Sequence, residues 1–497
     1  MTKRPLGAVF ILLALYFALQ VILRVSLPHA LELDEAEQIF FAQWQQLGYG
    51  PQPPLYNWLQ TAMFAAIGPS VLGLALLKNA ILFSCYVFLG LAATIALKDA
   101  RLQAISVLGL LTLPQVSFMA QQDLTHTVAL LAASAMLIYA LFLTIRYGSV
   151  AAYALAGLAT GLGFLAKYNF ILLPLAALLS MGMDRHFRER VFDRRILVAV
   201  AVACVVVLPH GSWLINNLQS AAAGTLDKMS TNAASGPLGA ILTGLASLSV
   251  AIAAFSALAL VVFVAVLGKN TATVLRAQTP TTKMIERMLL IILVGLIAII
   301  VATGSTKVRE RWLDPFLLIL PLYLCMKIEA AGLAERVARK RLFPIAAVIL
   351  VIVPAILAVR VIAAPVIGRY TKINVPVDTF ATKLLDEARH EPGLVVASDR
   401  HLAGNLRLTM HGLPVLAAGM PNFDLPFVWS TDRPILLAWR KPESPVGIPD
   451  EITAWLRDRP QMSNAIIVPG EITLPYHFGR RGDTYGFGYA WVYPSRD

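Results

Sequence analysis

Charged side chains are scarce in this sequence. Only 14% of its 497 residues are Asp, Glu, Lys or Arg, whereas 58% are apolar, and the mean hydropathy is +0.69. In soluble globular domains about a quarter of the residues are charged, so an ordinary soluble globule is excluded. The composition predicts a polytopic α-helical membrane protein.

Cysteine and cofactor motifs are also sparse. The three cysteines, Cys85, Cys204 and Cys325, lie in or near the ends of apolar runs, and their spacing suggests neither a disulfide framework nor a metal site. They are expected to be small core residues. We find no internal repeat of fixed period, and no cytoplasmic connection carries a nucleotide-binding fingerprint. No cofactor is therefore predicted, although a divalent metal stays an open possibility.

Long apolar runs dominate the first 362 residues. The N-terminal run has about 17 apolar residues, longer than the core of a signal peptide and close to the length of a spanning helix, so we predict an uncleaved first span. We expect about 11 spans, to within one, and an odd number places the termini on opposite sides. The expected spans are residues 6–22, 71–97, 102–118, 124–144, 150–165, 170–183, 196–215, 238–267, 288–303, 313–326 and 342–362.

Basic residues are distributed unequally between the two sets of connections. One set holds nineteen Lys and Arg residues, and the other holds five. The positive-inside rule places the richer set, with the N-terminus, in the cytoplasm, and this bias accounts for the net charge of +12 without nucleic acid. The prediction is an inner (cytoplasmic) membrane protein. Its outward connections are residues 25–70, 119–123, 166–169, 216–237 and 304–312.

The composition changes after residue 362. Short β-prone runs at 394–397, 435–438, 465–468 and 485–493 alternate with turn residues and with helix-like segments at 377–389 and 449–457. We predict a transmembrane domain over 1–362 and a small α/β extracytoplasmic domain over 363–497. Asp399, Arg400 and His401 form either a polar site or ordinary surface charge, and the sequence leaves both interpretations open.

The stretch 31–58, LELDEAEQIFFAQWQQLGYGPQPPLYNW, organises the chain. It follows the first span and opens with Glu32, Asp34 and Glu35. A helix-like amphipathic pattern then continues until glycines and prolines interrupt it, and a second amphipathic segment follows. This pattern predicts interfacial helices in the first outer loop.

The DEAEQ and GYGPQPPLY context resembles membrane glycosyltransferases of the C-type fold, family thirty-nine. This family is protein O-mannosyltransferase-like and includes bacterial enzymes that add aminoarabinose or galacturonic acid to lipopolysaccharide. The resemblance covers residues 1–365 and implies that Asp34 is the base that activates the acceptor, while Glu35 orients it or binds the acceptor. The alternative is that these acids only cap and solvate an interfacial helix.

A second polar site lies in QQDLTHT, residues 121–127. Ionisable groups at a bilayer boundary are costly unless hydrated or paired, so Asp123 and His126 are candidate substrate-binding residues. Asp123 fits the family, whereas His126 departs from the commoner pattern. Asp123 together with Asp34 could hold a divalent metal, but that ligand set is incomplete. Alternatively, Asp123 caps the fourth span.

Lys167, Tyr168 and Asn169 follow a glycine-rich run between two spans. The lysine suits the phosphate of a donor, and Tyr168 and Asn169 suit a sugar or a lipid head group. Here too the family carries a similar element. The alternative is a lysine that extends to the interface. The preceding glycines favour close helix packing over phosphate binding.

The segment GSTKVRERWLDP, residues 304–315, concentrates outward positive charge. Because negative charge grows on a leaving lipid phosphate, Arg309 and Arg311 are predicted to bind it, with Arg309 favoured. The alternative is attraction to anionic lipid heads. Weaker candidates for the acceptor path or for sugar stacking are His210, Trp213, Asn216, Asn217, Tyr49, Tyr56 and Trp58.

Together these motifs predict an inverting glycosyltransferase. A polyprenyl-phosphate monosaccharide would be the donor, and the acceptor would be a lipid, lipopolysaccharide or protein on the outer face of the membrane. The rival prediction is a transporter or flippase of lipid-linked sugars. A transporter is expected to show repeat symmetry and polar groups near the middle of the bilayer, and neither is evident in the sequence.

Overall fold

The computed structural model describes residues 5–218, 236–334, 342–388, 390–420, 422–441 and 447–495. Lys228, one of the five basic residues predicted to face outward, lies outside these ranges, as does the 335–341 part of a connection predicted to be cytoplasmic. The described chain is mostly helical and carries a small sheet near its C-terminal end. The predicted fold class is confirmed.

Long apolar helices account for most of the predicted spans. Within the described residues seven are long and apolar enough to cross a membrane, or eight if the pair Ala100–Thr112 and Gln115–Asp123, bent by 72°, is one span. Pro114 lies at this bend, where its missing N–H interrupts the helical hydrogen bonds. The seven helices are Pro5–Ser26, Val71–Ala96, His126–Tyr147, Ile196–Asn216, Pro237–Leu267, Pro280–Thr303 and Leu342–Ile362.

Three of the expected spans form shorter or broken helices. Residues 150–165 lie in Val150–Ala166, and 170–183 lie in a helical segment that begins at Tyr168. The run 313–326 divides into Asp314–Leu317 and Leu320–Ala330, and Pro321 stands in the first turn of the second piece. Proline is tolerated there because the first helical N–H groups have no partner within the helix.

The remaining helices are short and lie between the spans or in the C-terminal region. They are Leu33–Phe41, Leu55–Ile67, Arg188–Val191, Gly268–Asn270, Thr271–Arg276, Glu310–Trp312, Ala364–Ile367, Lys372–Asn374, Val377–Glu387, Arg400–Thr409, Asp450–Arg457 and Pro460–Met462. Ala120–Asp123 is the last part of the bent pair, and Tyr168–Ile171 and Leu172–Gly182 make up the segment that begins at Tyr168.

Small residues allow two helices to touch backbone to backbone, as predicted. A Cβ atom on Gly157 would lie 2.2 Å from the carbonyl oxygen of Ala199, and one on Gly161 would lie 2.8 Å from the side chain of Val206. Any larger residue at Gly157 would force the two helices apart. This packing brings the end of Val150–Ala166, and therefore Lys167, beside the helix that carries His210.

The C-terminal sheet has five strands in the order β2-β1-β3-β5-β4. They are β1 (Leu394–Ala397), β2 (Val415–Ala417), β3 (Ile435–Arg440), β4 (Ile466–Pro475) and β5 (Thr484–Tyr493). The pairs β1–β2 and β1–β3 are parallel, whereas β3–β5 and β4–β5 are antiparallel. Four strands match predicted runs. The sequence analysis missed β2 and the helix Arg400–Thr409.

The chain divides into two compact units. The first comprises Met1–Gln20, Gln46–Tyr56 and Lys78–Val353, and the second comprises Val21–Gln45, Asn57–Leu77 and Pro354–Asp497. The acidic start of the first outer loop therefore belongs with the C-terminal sheet. The proposed division at residue 362 stays a prediction.

Candidate active site

The acidic helix, Leu33–Phe41, begins at the candidate base. Glu35 lies in its first turn, and its Oε2 accepts a hydrogen bond from the backbone N–H of Glu32 at 3.2 Å. Acids in a first turn also stabilise the positive end of the helix dipole. Asp34 is half-buried, whereas the Glu35 side chain is only 2% exposed. The segment after the first span is thus helical at its acidic start, as predicted.

Two arginines anchor the N-terminus of the acidic helix. Arg24 Nη2 lies 2.8 Å from Glu35 Oε2, its Nε lies 3.1 Å from Oε1, and the same side chain donates to the carbonyl oxygens of Pro28 and Ala30. Arg360 Nη2 lies 2.6 Å from Glu32 Oε1. Burial raises the pKa of Glu32 above its usual value despite Arg360.

These ion pairs bear on the predicted role of Glu35. A buried carboxylate that holds an arginine by two hydrogen bonds orients the backbone around it. This pairing is compatible with the orienting role, and the choice between orienting and contact with the acceptor stays a prediction. The sequence analysis assigned no role to Arg24 or Arg360. In each case the available signal was an arginine in the last turn of an apolar helix. An arginine buried at that position needs a partner for its charge, so an acidic partner could have been expected.

The helix Arg400–Thr409, here the domain helix, lies against the acidic helix. Gly404 makes this possible, because a Cβ atom there would lie 2.1 Å from the carbonyl oxygen of Ala36. The backbone of Leu31 is held at both polar groups: its N–H donates to Asn405 Oδ1 at 2.9 Å, and its carbonyl accepts from His401 Nε2 at 2.8 Å. The C-terminal domain thus holds the chain three residues before Asp34.

The hydrogen bonds of His401 define its tautomer. Arg440 Nη2 donates to Nδ1 at 2.6 Å, so the ring proton is on Nε2, where it reaches Leu31. Asp399 pairs with Arg440 at 3.0 Å and caps the domain helix through the N–H groups of His401 and Leu402. Of the two interpretations of this cluster, the structure supports a polar network in which His401 is buried and Asp399 is partly exposed, while the Arg400 side chain is 47% exposed.

Electrostatics keeps this histidine neutral. Burial, followed by the charge of Arg440, lowers the pKa of His401 to about 4, and Lys372 acts in the same direction. Burial alone would raise the pKa of Asp399, but Arg440 and the helix N–H groups outweigh it, so this pKa lies below its usual value. A neutral His401 both donates and accepts, as the network requires.

The titration of His401 predicts a pH-dependent stability. In the unfolded chain the histidine binds a proton near its ordinary pKa of 6.5, but in the folded chain only near 4. The unfolded state therefore holds more protons between these values, and stability falls as the pH drops from 6.5 through 4, by at most about 3 kcal/mol. We expect His401→Gln, whose amide keeps both hydrogen bonds, to flatten this fall. Melting temperatures of the full chain in detergent across this pH range measure it.

His411 provides the matched control, because it is exposed in the turn after the domain helix. His411→Gln should leave the pH dependence unchanged. If wild type and His401→Gln lost stability equally as the pH falls from 6.5 to 4, His401 would not be the source of that loss.

Gly404 predicts a second stability effect. In Gly404→Ala the new methyl group collides with the backbone of Ala36, which cannot move without displacing the acidic helix. We expect a loss of about 1–3 kcal/mol and a fall in sugar transfer that exceeds the loss of folded protein. Gly419→Ala is the control, because a Cβ there meets no atom within 4 Å and its φ is not positive. Equal transfer by the two variants would contradict the expectation.

Aromatic packing and an amide complete the attachment of the first loop. Phe41 and Trp44 lie with ring centroids 5.0 and 5.2 Å from that of Phe423. The side-chain amide of Gln43 pairs with the edge of β2, donating to the carbonyl oxygen of Val415 at 2.9 Å and accepting from its N–H at 3.0 Å. This pairing explains how the three-residue strand β2 is covered at its open edge.

In the first unit, Tyr168, His210 and Trp213 form an aromatic stack. The centroid of His210 is 5.9 Å from that of Tyr168 and 5.5 Å from that of Trp213. The His210 Nδ1–H donates to the carbonyl oxygen of Leu47 at 2.7 Å, and Nε2 accepts from the Tyr168 hydroxyl at 3.0 Å. Two predicted substrate-binding residues, 42 positions apart, are thus brought together.

Two basic residues of the first unit lie near a buried acid. Asp314 is fully buried, and the charges of Lys167 and Arg311 are near enough to act on its carboxylate. Lys167 also donates to the hydroxyl of Thr127, and Asn169 donates to the carbonyl oxygen of Trp312 at 3.0 Å. Two predicted cationic segments therefore meet. The analysis quoted Asp314 within its motif but gave it no role, although an acid at an apolar boundary was a signal.

Arg309 is half-buried, and the loop that carries it is hydrogen-bonded to the helix Pro237–Leu267. The N–H of Val308 donates to Ser247 Oγ at 2.9 Å, and that hydroxyl lies 3.2 Å from the Val308 carbonyl oxygen. The Nε of Arg309 is buried and has no hydrogen-bond partner among the residues that the structure describes. A buried guanidinium N–H without a protein partner fits an anionic ligand.

The other predicted substrate-binding residues lie near one end of His126–Tyr147. His126 begins this helix, is 3% exposed, and its ring centroid is 6.1 Å from that of the fully buried Tyr56. Asp123 is half-buried and ends Ala120–Asp123, and the residue at the cap of the following helix is Thr125. Asp123 lies two residues before this cap position, and its role, whether substrate binding or capping, stays a prediction.

Two polar residues within a predicted span were missed. Lys78 and Asn79 lie inside the helix Val71–Ala96 and are 3% and 4% exposed, and Asn79 Oδ1 accepts from Gln121 Nε2 at 2.8 Å. A lysine in an apolar run was the available signal. Among the described residues no three His, Cys, Asp or Glu side chains are grouped so that they could hold a metal.

Comparison with known proteins identifies the family. Residues 51–213 match the family described as dolichyl-phosphate-mannose-protein mannosyltransferase. The chain is 45% identical to the lipopolysaccharide core galacturonosyltransferase RgtA of Rhizobium johnstonii, over 99% of this chain and 98% of that protein. It is 42% identical to RgtB of the same organism, which has the same description, with the same coverage.

The fold is also similar to a solved structure. The crystal structure of ArnT from Cupriavidus metallidurans in the apo state has a TM-score of 0.59 and 14% identity, covering 96% of this chain and 97% of that one. The resemblance drawn from the first outer loop is confirmed. This chain belongs to the family of multispanning membrane glycosyltransferases that is related to the protein mannosyltransferases and includes the lipopolysaccharide core galacturonosyltransferases.

Proposed function

We propose that this enzyme transfers galacturonic acid from a polyprenyl-phosphate carrier to a sugar of the lipopolysaccharide core. The observation that carries the proposal is the 45% identity, along 99% of the chain, to a protein named for that transfer. Mannose, aminoarabinose and galacturonic acid were all compatible with the motifs, and this relationship favours the third. The distribution of basic residues supports a reaction on the outer face of the cytoplasmic membrane, with the N-terminus inside and the C-terminal domain outside.

Asp34 is the proposed base. The acceptor hydroxyl loses its proton to the Asp34 carboxylate while its oxygen bonds to the anomeric carbon of the donor. The bond from that carbon to the phosphate oxygen breaks, and the polyprenyl phosphate leaves with the electron pair. Attack opposite the leaving group inverts the anomeric configuration. Glu35, held by Arg24, keeps the helix in place.

Lys167, Arg309 and Arg311 are the proposed ligands of the donor phosphate. Their positive charge stabilises the negative charge that grows on the leaving phosphate. The buried Nε of Arg309 supports this role, because it lacks a protein acceptor among the described residues. Tyr168, Asn169, His210, Tyr56, Asp123 and His126 are the proposed contacts of the sugar or acceptor.

Mass spectrometry of lipopolysaccharide from cells with and without the gene tests the proposal. We expect the core from the deletion strain to lack one hexuronic acid increment, which the wild-type gene restores. An unchanged core would contradict the proposal. Purified enzyme in vesicles, supplied with donor and acceptor together, separates the alternatives, because only a transferase releases polyprenyl phosphate and a lengthened core.

A further inference from the structure

The hairpin between β4 and β5 ends in an unusual tip. Phe478 has a φ of +58°, and it is the one non-glycine residue with positive φ in the described chain. Bulky residues rarely adopt this conformation. The side chain is nevertheless 48% exposed, and it is followed by Arg480 and Arg481, both exposed. An exposed phenylalanine next to two arginines is not explained by packing within the domain.

The tip is tied to the end of the last spanning helix. The Asn374 side-chain amide donates both to the carbonyl oxygen of Val361, in the last turn of Leu342–Ile362, and to that of His477, each at 2.9 Å. The N–H of His477 returns a bond to the Asn374 carbonyl oxygen at 2.9 Å. Phe478 is therefore one residue away from a group bonded to the end of a membrane span.

The segment between the span and the domain packs on the same tip. Tyr370 stacks on Tyr476 with centroids 4.0 Å apart, and its hydroxyl donates to Asp483. This segment exposes further apolar and basic side chains. They are Val366 and Ile367, 76% and 54% exposed, and Arg369 and Lys372.

These seven side chains, here the tip patch, combine apolar and positive character at a bilayer boundary. The patch consists of Val366, Ile367, Arg369, Lys372, Phe478, Arg480 and Arg481. Within the described part of the chain none of its four cations forms an ion pair, while the adjacent acids are engaged with Tyr370 and, in the case of Asp378, with His477 at 2.7 Å. Aromatic and basic groups together favour the head-group region of a membrane.

We propose that the tip patch docks the C-terminal domain onto anionic phospholipid head groups, with Phe478 inserted between lipids and the arginines on their phosphates. The site is distinct from the residues given roles in sugar transfer. Charge complementarity selects anionic over zwitterionic lipid. The hydrogen bonds of Asn374 set the depth to which the tip enters the head-group region, because they fix the tip at the level where the span ends.

A fluorescent reporter on the full chain tests the docking. Thr484 is exposed at the start of β5, beside the tip, whereas Asp432 precedes β3 at the opposite end of the sheet, roughly 25 Å away along the strands. Thr484→Cys and Asp432→Cys are each made together with Cys204→Ala, because Cys204 is exposed and would also take the label. Cys85 and Cys325 are buried and are kept. The enzyme is reconstituted in phosphatidylcholine vesicles, with or without an equal part of phosphatidylglycerol, that carry a head-group nitroxide.

We expect the nitroxide to quench the reporter at 484 but not at 432, and phosphatidylglycerol to increase the quenching at 484. Arg480→Gln with Arg481→Gln should lower the docked population about fivefold per arginine, and Phe478→Ser should lower it further. Equal quenching at both positions would overturn the proposal. Quenching at 484 that depends neither on lipid charge nor on the two arginines would also overturn it. Loss of the quenching when lipopolysaccharide is added would overturn it too, because it would point to a glycan ligand.

Discussion

Asp34→Asn is expected to abolish sugar transfer while the chain still folds and inserts. General-base catalysis contributes about 10²–10⁴ in rate, so a loss of at least about a hundredfold should appear in kcat with little change in the KM for the donor. Folding is expected to survive because the ion pairs of Glu32 with Arg360 and of Glu35 with Arg24 stay in place. The rate is measured as the polyprenyl phosphate that the enzyme forms from the donor in vesicles.

Glu37→Gln is the matched control for the Asp34 variant. Glu37 lies on the same helix, is partly buried, and has an ion pair of 3.6 Å with the half-exposed Arg400. Such pairs contribute about 0–1 kcal/mol, so transfer should stay near the wild-type rate. If Asp34→Asn retained full turnover, the base would have to be another group.

Arg309→Gln is expected to lower kcat/KM for the donor by about 10²–10³, which is the usual effect of removing one group that stabilises transition-state charge. The loss should appear in both kcat and KM, because the phosphate is charged in the donor and becomes more negative as the bond breaks. Arg309→Lys should recover only part of the activity, since a lysine lacks the planar pair of donors.

Lys307→Gln is the control for Arg309. It removes a positive charge from the same loop two residues away, but its side chain is exposed. A similar loss in both variants would indicate general attraction to anionic lipid rather than a defined phosphate site. A large loss confined to Arg309 supports the assigned role.

In the second unit, the C-terminal domain supports the helix that carries the proposed base. The domain helix holds Leu31 at both backbone polar groups, and Gly404 lets the two helices touch. Since general-base catalysis depends on placing the carboxylate within hydrogen-bond reach of the acceptor, support from a folded domain gives the outer loop the rigidity that a loop alone lacks. Substitution of His401 or Gly404 is therefore expected to lower sugar transfer by displacing the helix that carries Asp34.

Local patterns were enough to predict the long apolar helices, four strands and the family. Apolar runs of spanning length have one stable conformation in a bilayer, because every backbone group must be bonded within the segment. Likewise β1 and β5 are continuous β-prone runs. The strand β2 was missed because three residues carry too little pattern, and its edge is completed by Gln43, 372 positions away.

The sequence by itself determined that this is a multispanning glycosyltransferase with an acidic segment after its first span, because composition and motif are properties of contiguous residues. Only the tertiary structure decided which partners those residues have. It paired Glu35 with Arg24, set Lys167 and Arg311 around the buried Asp314, and joined His401 to Leu31. The physical reason is that buried polar groups take whatever donors and acceptors the packing of distant segments brings within reach, and no local pattern encodes that choice.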